Sequence, residues 1–151
     1  MVVSVILARG GSKGIPRKNI VDINGKPLLY YTIEASLKSG VDATWVSTDD
    51  EEIATIAYEC GARVLKRPAK ISTDKSTSES ALMHFAEQVE FDHVVFIQPT
   101  SPLLKAKYID EGLSMTSDYD SIFSAYIQHW TPRWTKELPS KPIGWDPNNR
   151  P

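Results

Sequence analysis

The residues with the most chemical promise stand near the front of the chain, in Leu7-Ala8-Arg9-Gly10-Gly11-Ser12-Lys13-Gly14-Ile15-Pro16-Arg17-Lys18-Asn19. Glycine lets backbone N–H groups crowd around an anion, because it tolerates positive φ and has no side chain in the way. Arg9, Lys13 and Lys18 add charge to the same loop. That combination suits a triphosphate. The spacing matches neither G-x-x-x-x-G-K-[ST] nor G-x-G-x-x-G, so the loop is a phosphate cradle of another kind.

Other candidates are scattered. Arg67 follows a short apolar run, and Ser76 and Ser78 open a helical stretch. A helix start offers free N–H groups to an anion, but Ser and Thr there also serve as N-caps, so both roles stay open. Gln98 ends an apolar run, and Pro99 and Pro102 would hold the Thr100–Ser101 turn rigid. His84, His93 and His129 share no metal-ligand spacing. Asp49-Asp50-Glu51-Glu52 reads as a helix cap with an acidic first turn, and Cys60 as a buried, inert thiol on an apolar helix face.

These residues need strands and helices to position them. Val2–Leu7 is a continuous β-branched run, the pattern of a strand buried on both faces. Pro27 can open a helix over Leu28–Lys38 that Gly40 stops. A strand at Ala43–Ser47 follows, then a helix capped by Asp49 or Asp50, carrying Ile53, Ile56, Ala57 and Cys60 and stopped by Gly61. A third strand is expected at Arg63–Leu65, a helix over Ser76–Glu90 and a buried strand at Val94–Ile97. A helix from about Lys105 to Thr116 and a strand around Ser121–Ile127 complete the pattern. Alternating strands and helices imply a mostly parallel sheet with helices on both faces. Ligands bind outside the carboxyl ends of such strands, which is where Ala8–Asn19 and Gln98–Leu104 fall.

Composition narrows the class. The chain has 151 residues, 41% of them hydrophobic, 24% charged, with a formal net charge of −2. That excludes disorder as the default and argues against a nucleic-acid partner. No apolar run reaches the ~20 residues of a membrane span, and the lone cysteine suits a reducing, cytoplasmic setting. The charge is blocked: six basic and two acidic residues in 1–40, six acids with no Lys or Arg in 41–60, and Arg63, Lys66, Arg67, Lys70 and Lys75 against Asp74 in 63–75. Five of the ten prolines fall in the last twenty residues. Trp130, Trp134 and Trp145 fit either a packing surface or part of a sugar pocket.

Arg9-Gly10-Gly11-Ser12-Lys13-Gly14-Ile15-Pro16 with Lys18-Asn19 resembles the signature of the acylneuraminate (nonulosonate) cytidylyltransferases, and the resemblance continues along the chain. It recurs in Lys66-Arg67-Pro68, Ser76-Thr77-Ser78, Gln98-Pro99-Thr100-Ser101-Pro102-Leu103-Leu104 and Tyr119-Asp120-Ser121-Ile122-Phe123-Ser124. It implies a three-layer, Rossmann-like nucleotide-diphospho-sugar transferase fold with a mostly parallel sheet. The implied reaction joins CTP to a nine-carbon 2-keto acid sugar such as N-acetylneuraminate, giving CMP-sugar and pyrophosphate. Legionaminate or pseudaminate is the alternative substrate, and a non-catalytic nucleotide-binding module the alternative role.

By the same resemblance Ala8, Arg9, Gly10, Gly11, Ser12, Lys13, Lys18, Asn19, Arg67, Ser76 and Ser78 bind the nucleotide. Arg9, Lys13 and Lys18 assist catalysis, and Gln98, Thr100 and Ser101 face the sugar. Residues 1–129 are then a CTP-binding α/β domain, and 130–151 the start of a sugar-site and dimerisation segment. Family members run well past 151 residues, so the chain reads as a truncated form, with negligible turnover alone, of a cytoplasmic enzyme that is a homodimer when full length. Mg²⁺ is the expected cofactor, with its ligands beyond residue 151.

Overall fold

A computed structural model of the protein describes residues 1–12 and 14–125. Met1–Ser121 form one compact unit. A second comprises Ile122–Pro151, of which only 122–125 are described. The boundary expected at 129/130 lies outside the described residues.

Four parallel strands form the central sheet: β1 (Val2–Leu7), β4 (Ala43–Thr48), β5 (Arg63–Lys66) and β6 (His93–Ile97), in the order β5-β4-β1-β6. Helices α1 (Leu28–Leu37), α2 (Glu51–Glu59) and α3 (Ser78–Gln88) carry the crossovers, and α4 (Ala106–Leu113) follows β6. The chain builds outward from β1 to β5, then returns across β1 to lay β6 on its other side. β1 is thus central, which accounts for its largely apolar sequence: Val3, Val5 and Ile6 are fully buried, and so is Ser4, its one polar residue.

Alternation along β1 and β4 divides the core between two faces. On one, Ile6, Val46 and Ile97 pack with Leu29 and Ile33 of α1, Ile53 and Ala57 of α2, and Ile109 of α4. On the other, Val3 and Val5 pack with Phe85 of α3, flanked by Trp45, Leu65 and Leu82. The three-layer arrangement expected from the sequence is therefore present. Polar groups caught beneath α1 satisfy one another: the Ser36 hydroxyl lies 2.6 Å from that of Ser4 and 2.8 Å from that of Thr44.

Three differences from the sequence reading have physical causes. A two-stranded hairpin, β2 (Asp22–Ile23) with β3 (Lys26–Pro27), precedes α1 and was not anticipated. Its signal was the dipeptide Asn24-Gly25, whose φ values of 54° and 79° suit the tight turn that such pairs favour. The strand β6 is not buried on both faces. Val94 and Phe96 are about two-fifths exposed: among the described residues β6 is an edge strand of this sheet, and Phe85 of α3 packs on β1 instead. Finally, Ser121–Ala125 carry no strand; the rest of that expected strand, 126–127, lies outside the described residues.

Helix ends follow their caps. The Asp50 carboxylate accepts the Ile53 N–H at 3.0 Å and starts α2. Gly61, at φ 91°, lets the chain turn away from its end.

Candidate functional site

A cleft of about 360 Å³ opens at the carboxyl ends of β1 and β6, where strand order reverses. Parallel sheets bind ligands at this place, since the loops leaving the two strands diverge to opposite faces. Its walls come from four stretches: the loop after β1, the 67–78 segment after β5, the outer side of β6, and the turn after β6.

The first loop contributes Leu7, Arg9, Gly11, Ser12, Lys18 and Asn19. Ala8 does not line the cleft; it is fully buried in the core, and its N–H extends the β1–β4 ladder to the Ser47 carbonyl at 3.0 Å. Gly10 is likewise set back. Its N–H donates to Asp49 Oδ1 at 3.0 Å, and a Cβ there would come within 2.6 Å of Asp50 Oδ2. Steric necessity thus explains that glycine, not a positive φ. Among the described residues of the loop, the left-handed one is Arg17, at φ 54°. Gly11 and Gly14 have open space where a side chain would be, which leaves their backbone approachable. Asn19 is buried and donates from Nδ2 to the Arg9 carbonyl at 3.0 Å, tying the loop's entry to its exit. Lys13 lies outside the described residues.

Across the cleft, Arg67, Ile71, Thr73, Ser76, Thr77 and Ser78 form the second wall. Arg67 is only 6% exposed, yet its Nε and Nη2 find no hydrogen-bond partner among the described residues. Burial pushes its guanidinium pKa down, while Asp49 nearby pushes back. An orphaned, buried guanidinium is expensive unless something supplies acceptors. Neither Ser76 nor Ser78 is the cap of α3. Thr77 caps α3, accepting the Ser80 N–H at 3.2 Å, and Ser76 accepts from Thr73 N at 3.0 Å. Ser78 stands at the first turn with a hydroxyl unbonded among the described residues.

Gln98, Pro99 and Thr100 close the third side beside Phe96. Ser101 does not line the cleft; it is exposed, and its N–H donates to the Gln98 carbonyl at 3.3 Å within the turn. Arg9 pairs with Asp74 at 3.0 Å, whereas Lys18 has no acidic partner among the described residues. The cleft therefore presents fixed positive charge with donors left to give, the requirement for a polyanion.

The sequence reading missed Ile71, Thr73, Thr77 and Phe96 as lining residues. The density of hydroxyls from Ser72 to Ser80 was the available signal for two of them. It also read Asp49-Asp50 as a cap alone. The cap is there, and both carboxylates also reach the glycine loop: Asp49 accepts the Gly10 N–H, Asp50 binds the Arg17 guanidinium, with Nη2 to Oδ1 at 3.0 Å, and Glu52 takes the same Arg17 nitrogen.

The Arg17 hydrogen bond is the main reason the Asp50 carboxyl is held below its usual range, against burial and with help from the Ile53 N–H. A depressed carboxyl pKa stabilises the fold at pH above the unfolded value and loses that effect as pH falls through the folded one. Asp50→Asn keeps a good cap but loses the ion pair. The gap in melting temperature between Asp50→Asn and wild type should be constant above about pH 5 and narrow below about pH 4. Thermal melts in stepped buffers read it directly; a gap unchanged at pH 3 would remove the ion pair as its source.

Among the described residues no group of three or more His, Cys, Asp or Glu could hold a metal ion, and no helix is long and apolar enough to cross a membrane. The carboxylates near the cleft are engaged elsewhere, Asp49 with Gly10, Asp50 with Arg17 and Asp74 with Arg9.

Residues 3–130 match the family model for cytidylyltransferases. The chain belongs to the cytidylyltransferase family. N-acylneuraminate cytidylyltransferase A of Danio rerio is 41% identical over 98% of this chain and 36% of its own length. Pseudaminic acid cytidylyltransferase of Campylobacter jejuni is 43% identical over 72% of this chain and half of its own. Among solved structures, CMP:2-keto-3-deoxy-manno-octonic acid synthetase complexed with CTP superposes with a TM-score of 0.69 at 28% identity, over 78% of this chain and 48% of that one. The chain thus spans between about a third and a half of the length of these relatives.

Proposed function

We propose that this cytidylyltransferase chain supplies the CTP-binding part of an enzyme that joins CTP to a nonulosonic acid, releasing pyrophosphate. The observation that carries the reading is the cleft itself. It sets Arg9, Lys18 and the orphaned Arg67 around an approachable glycine loop, at the switch point of a sheet built as in a CTP-bound synthetase.

In that reaction the anomeric 2-hydroxyl oxygen of the sugar bonds to the α-phosphorus and gives up its proton to water. The bond from the α-phosphorus to the bridging oxygen breaks, and pyrophosphate leaves with the electron pair. Negative charge grows on the departing phosphates. Lys18, Arg9 and the N–H groups of Gly11 and Ser12 meet it already in place, which lowers the barrier without reorganisation. Lys13 belongs to the same loop. Arg67, Ser76 and Ser78 hold the nucleoside side, and Gln98 and Thr100 face the incoming acid.

Mg²⁺ would neutralise triphosphate charge, with protein ligands outside the described residues. The enzyme is proposed to be cytoplasmic and to act as a homodimer. N-acylneuraminate is the favoured acid, by the near-complete match to the Danio rerio relative. The Campylobacter jejuni relative supports a second reading, pseudaminate.

The experiment is a coupled pyrophosphate assay on an enzyme containing this chain. Release should need CTP and a nonulosonate together, and the 151-residue chain alone should bind CTP with negligible turnover. Equal release with a hexose-1-phosphate would remove the proposed substrate class.

A further inference from the structure

We propose that Arg17, Asp49 and Asp50 form a positioning clamp that sets the shape of the phosphate-binding loop. The proposal rests on the nucleotide reading above and goes beyond it in naming residues that act through the loop rather than on the ligand. None of the three is needed as a direct contact: Arg17, Asp49 and Asp50 do not line the nucleotide cleft.

The geometry is that of a loop pinned at both ends to one rigid support. At the start, Asp49 accepts the Gly10 N–H at 3.0 Å. Asp50 stands so close behind Gly10 that no side chain fits between them. At the end, the Arg17 guanidinium binds Asp50 and Glu52 together. The support cannot shift freely, because Asp50 is itself the N-cap of α2. Its backbone N–H is held by Thr48 Oγ1 at 3.1 Å.

Arg17 carries a left-handed backbone, at φ 54°. A non-glycine residue keeps that conformation only when its surroundings hold it there. The ion pairs with Asp50 and Glu52 hold it through the side chain, and the Ile20 N–H, donating to the Arg17 carbonyl at 2.9 Å, holds it through the backbone. The turn also aims the next two residues, since Lys18 and Asn19 leave it directly into the cleft. Asp49 has a second effect, as the strongest nearby charge attracting the buried Arg67 guanidinium. One acidic dipeptide thus meets both ends of the loop.

The clamp makes a prediction that plain electrostatics reverses. Asp50 is negative and close to the site of a polyanion, so neutralising it should tighten CTP binding if charge alone matters. If it is a clamp, Asp50→Asn should weaken CTP binding by about 10- to 100-fold, the range expected when a site is misplaced by about an ångström. Asparagine preserves the helix cap, so α2 stays formed. Arg17→Ala should weaken binding by a similar factor, Arg17→Lys by less, and the Arg17→Ala/Asp50→Asn pair by no more than either single change.

Isothermal titration of the 151-residue chain with CTP reads the affinities. Amide hydrogen exchange over Gly10–Asn19 without nucleotide reads the loop directly, and should be faster in both single variants. If wild type does not bind CTP, the nucleotide reading fails, and the exchange rates still decide the clamp. Wild-type affinity or tighter in Asp50→Asn, or unchanged exchange across the loop in both variants, overturns it.

Discussion

Arg67→Met should weaken CTP binding by about 10- to 100-fold and, in the same protein, raise the melting temperature by a few degrees. Both effects follow from one feature, a guanidinium that is 6% exposed with Nε and Nη2 unbonded among the described residues. Without ligand, that group has lost hydration and gained no acceptor, a penalty of ~1–3 kcal/mol for a buried polar group and more for a charged one. Methionine of similar length fills the space without the penalty. For a chain of this size, ~1 kcal/mol corresponds to about 2–4 °C.

With CTP present the balance changes. Acceptors on the ligand complete the orphaned donors, and hydrogen bonds to charged groups are worth ~1.5–3 kcal/mol, or roughly 10- to 100-fold in affinity. Thermal melts with and without CTP show both sides at once, since ligand binding raises stability with the logarithm of its affinity. Wild type should gain from CTP, and the variant should start higher and gain little. A variant that melts lower and keeps its CTP shift would make Arg67 a structural residue.

Phe85→Ala should destabilise the chain by ~3–5 kcal/mol, the usual cost of emptying a large aromatic site in a core. Phe85 is fully buried against Val3 and Val5. Its ring lies 5.7 Å from Phe91 in a stacked pair and 6.0 Å from Trp45 edge to face. Such pairs add ~0.5–1.5 kcal/mol each beyond area. Phe85→Leu fills most of the space and should cost much less than alanine. Urea unfolding monitored by tryptophan fluorescence measures both, and a cost for alanine below ~1 kcal/mol would show that α3 is not anchored here.

The consequence for function runs along α3. Thr77 and Ser78 open this helix and line the cleft, so loosening its anchor should also lower CTP affinity. Phe85→Leu should keep that affinity nearly intact. Packing on one face of the sheet and binding at its edge are thus a single mechanical problem.

Much of the arrangement was readable from residue type and order. The run Val2–Leu7, apolar but for Ser4, pointed to a central strand, because a strand buried on both faces is apolar along most of its length. Gly61 and Asp50 marked helix ends by their local chemistry. The glycine loop announced an anion by composition, and its place after β1 put it at the carboxyl edge of the sheet.

What sequence alone could not supply was the set of contacts between segments far apart in the chain. Gly10 looked like a residue chosen for its backbone freedom, and is instead a residue with no room beside Asp50, far along the chain. Asp49-Asp50 looked like a cap because capping is local, whereas their grip on Gly10 and Arg17 exists only once β1 and β4 lie side by side. Val94 and Phe96 read as core because apolar type does not say whether a neighbour arrives to cover it. Arg67 was a candidate by position, but its missing partners became visible only with the surrounding atoms in place. Local sequence determined which elements form and which chemistry they carry; the tertiary structure decided which groups are left unsatisfied, because satisfaction depends on who the distant neighbours are.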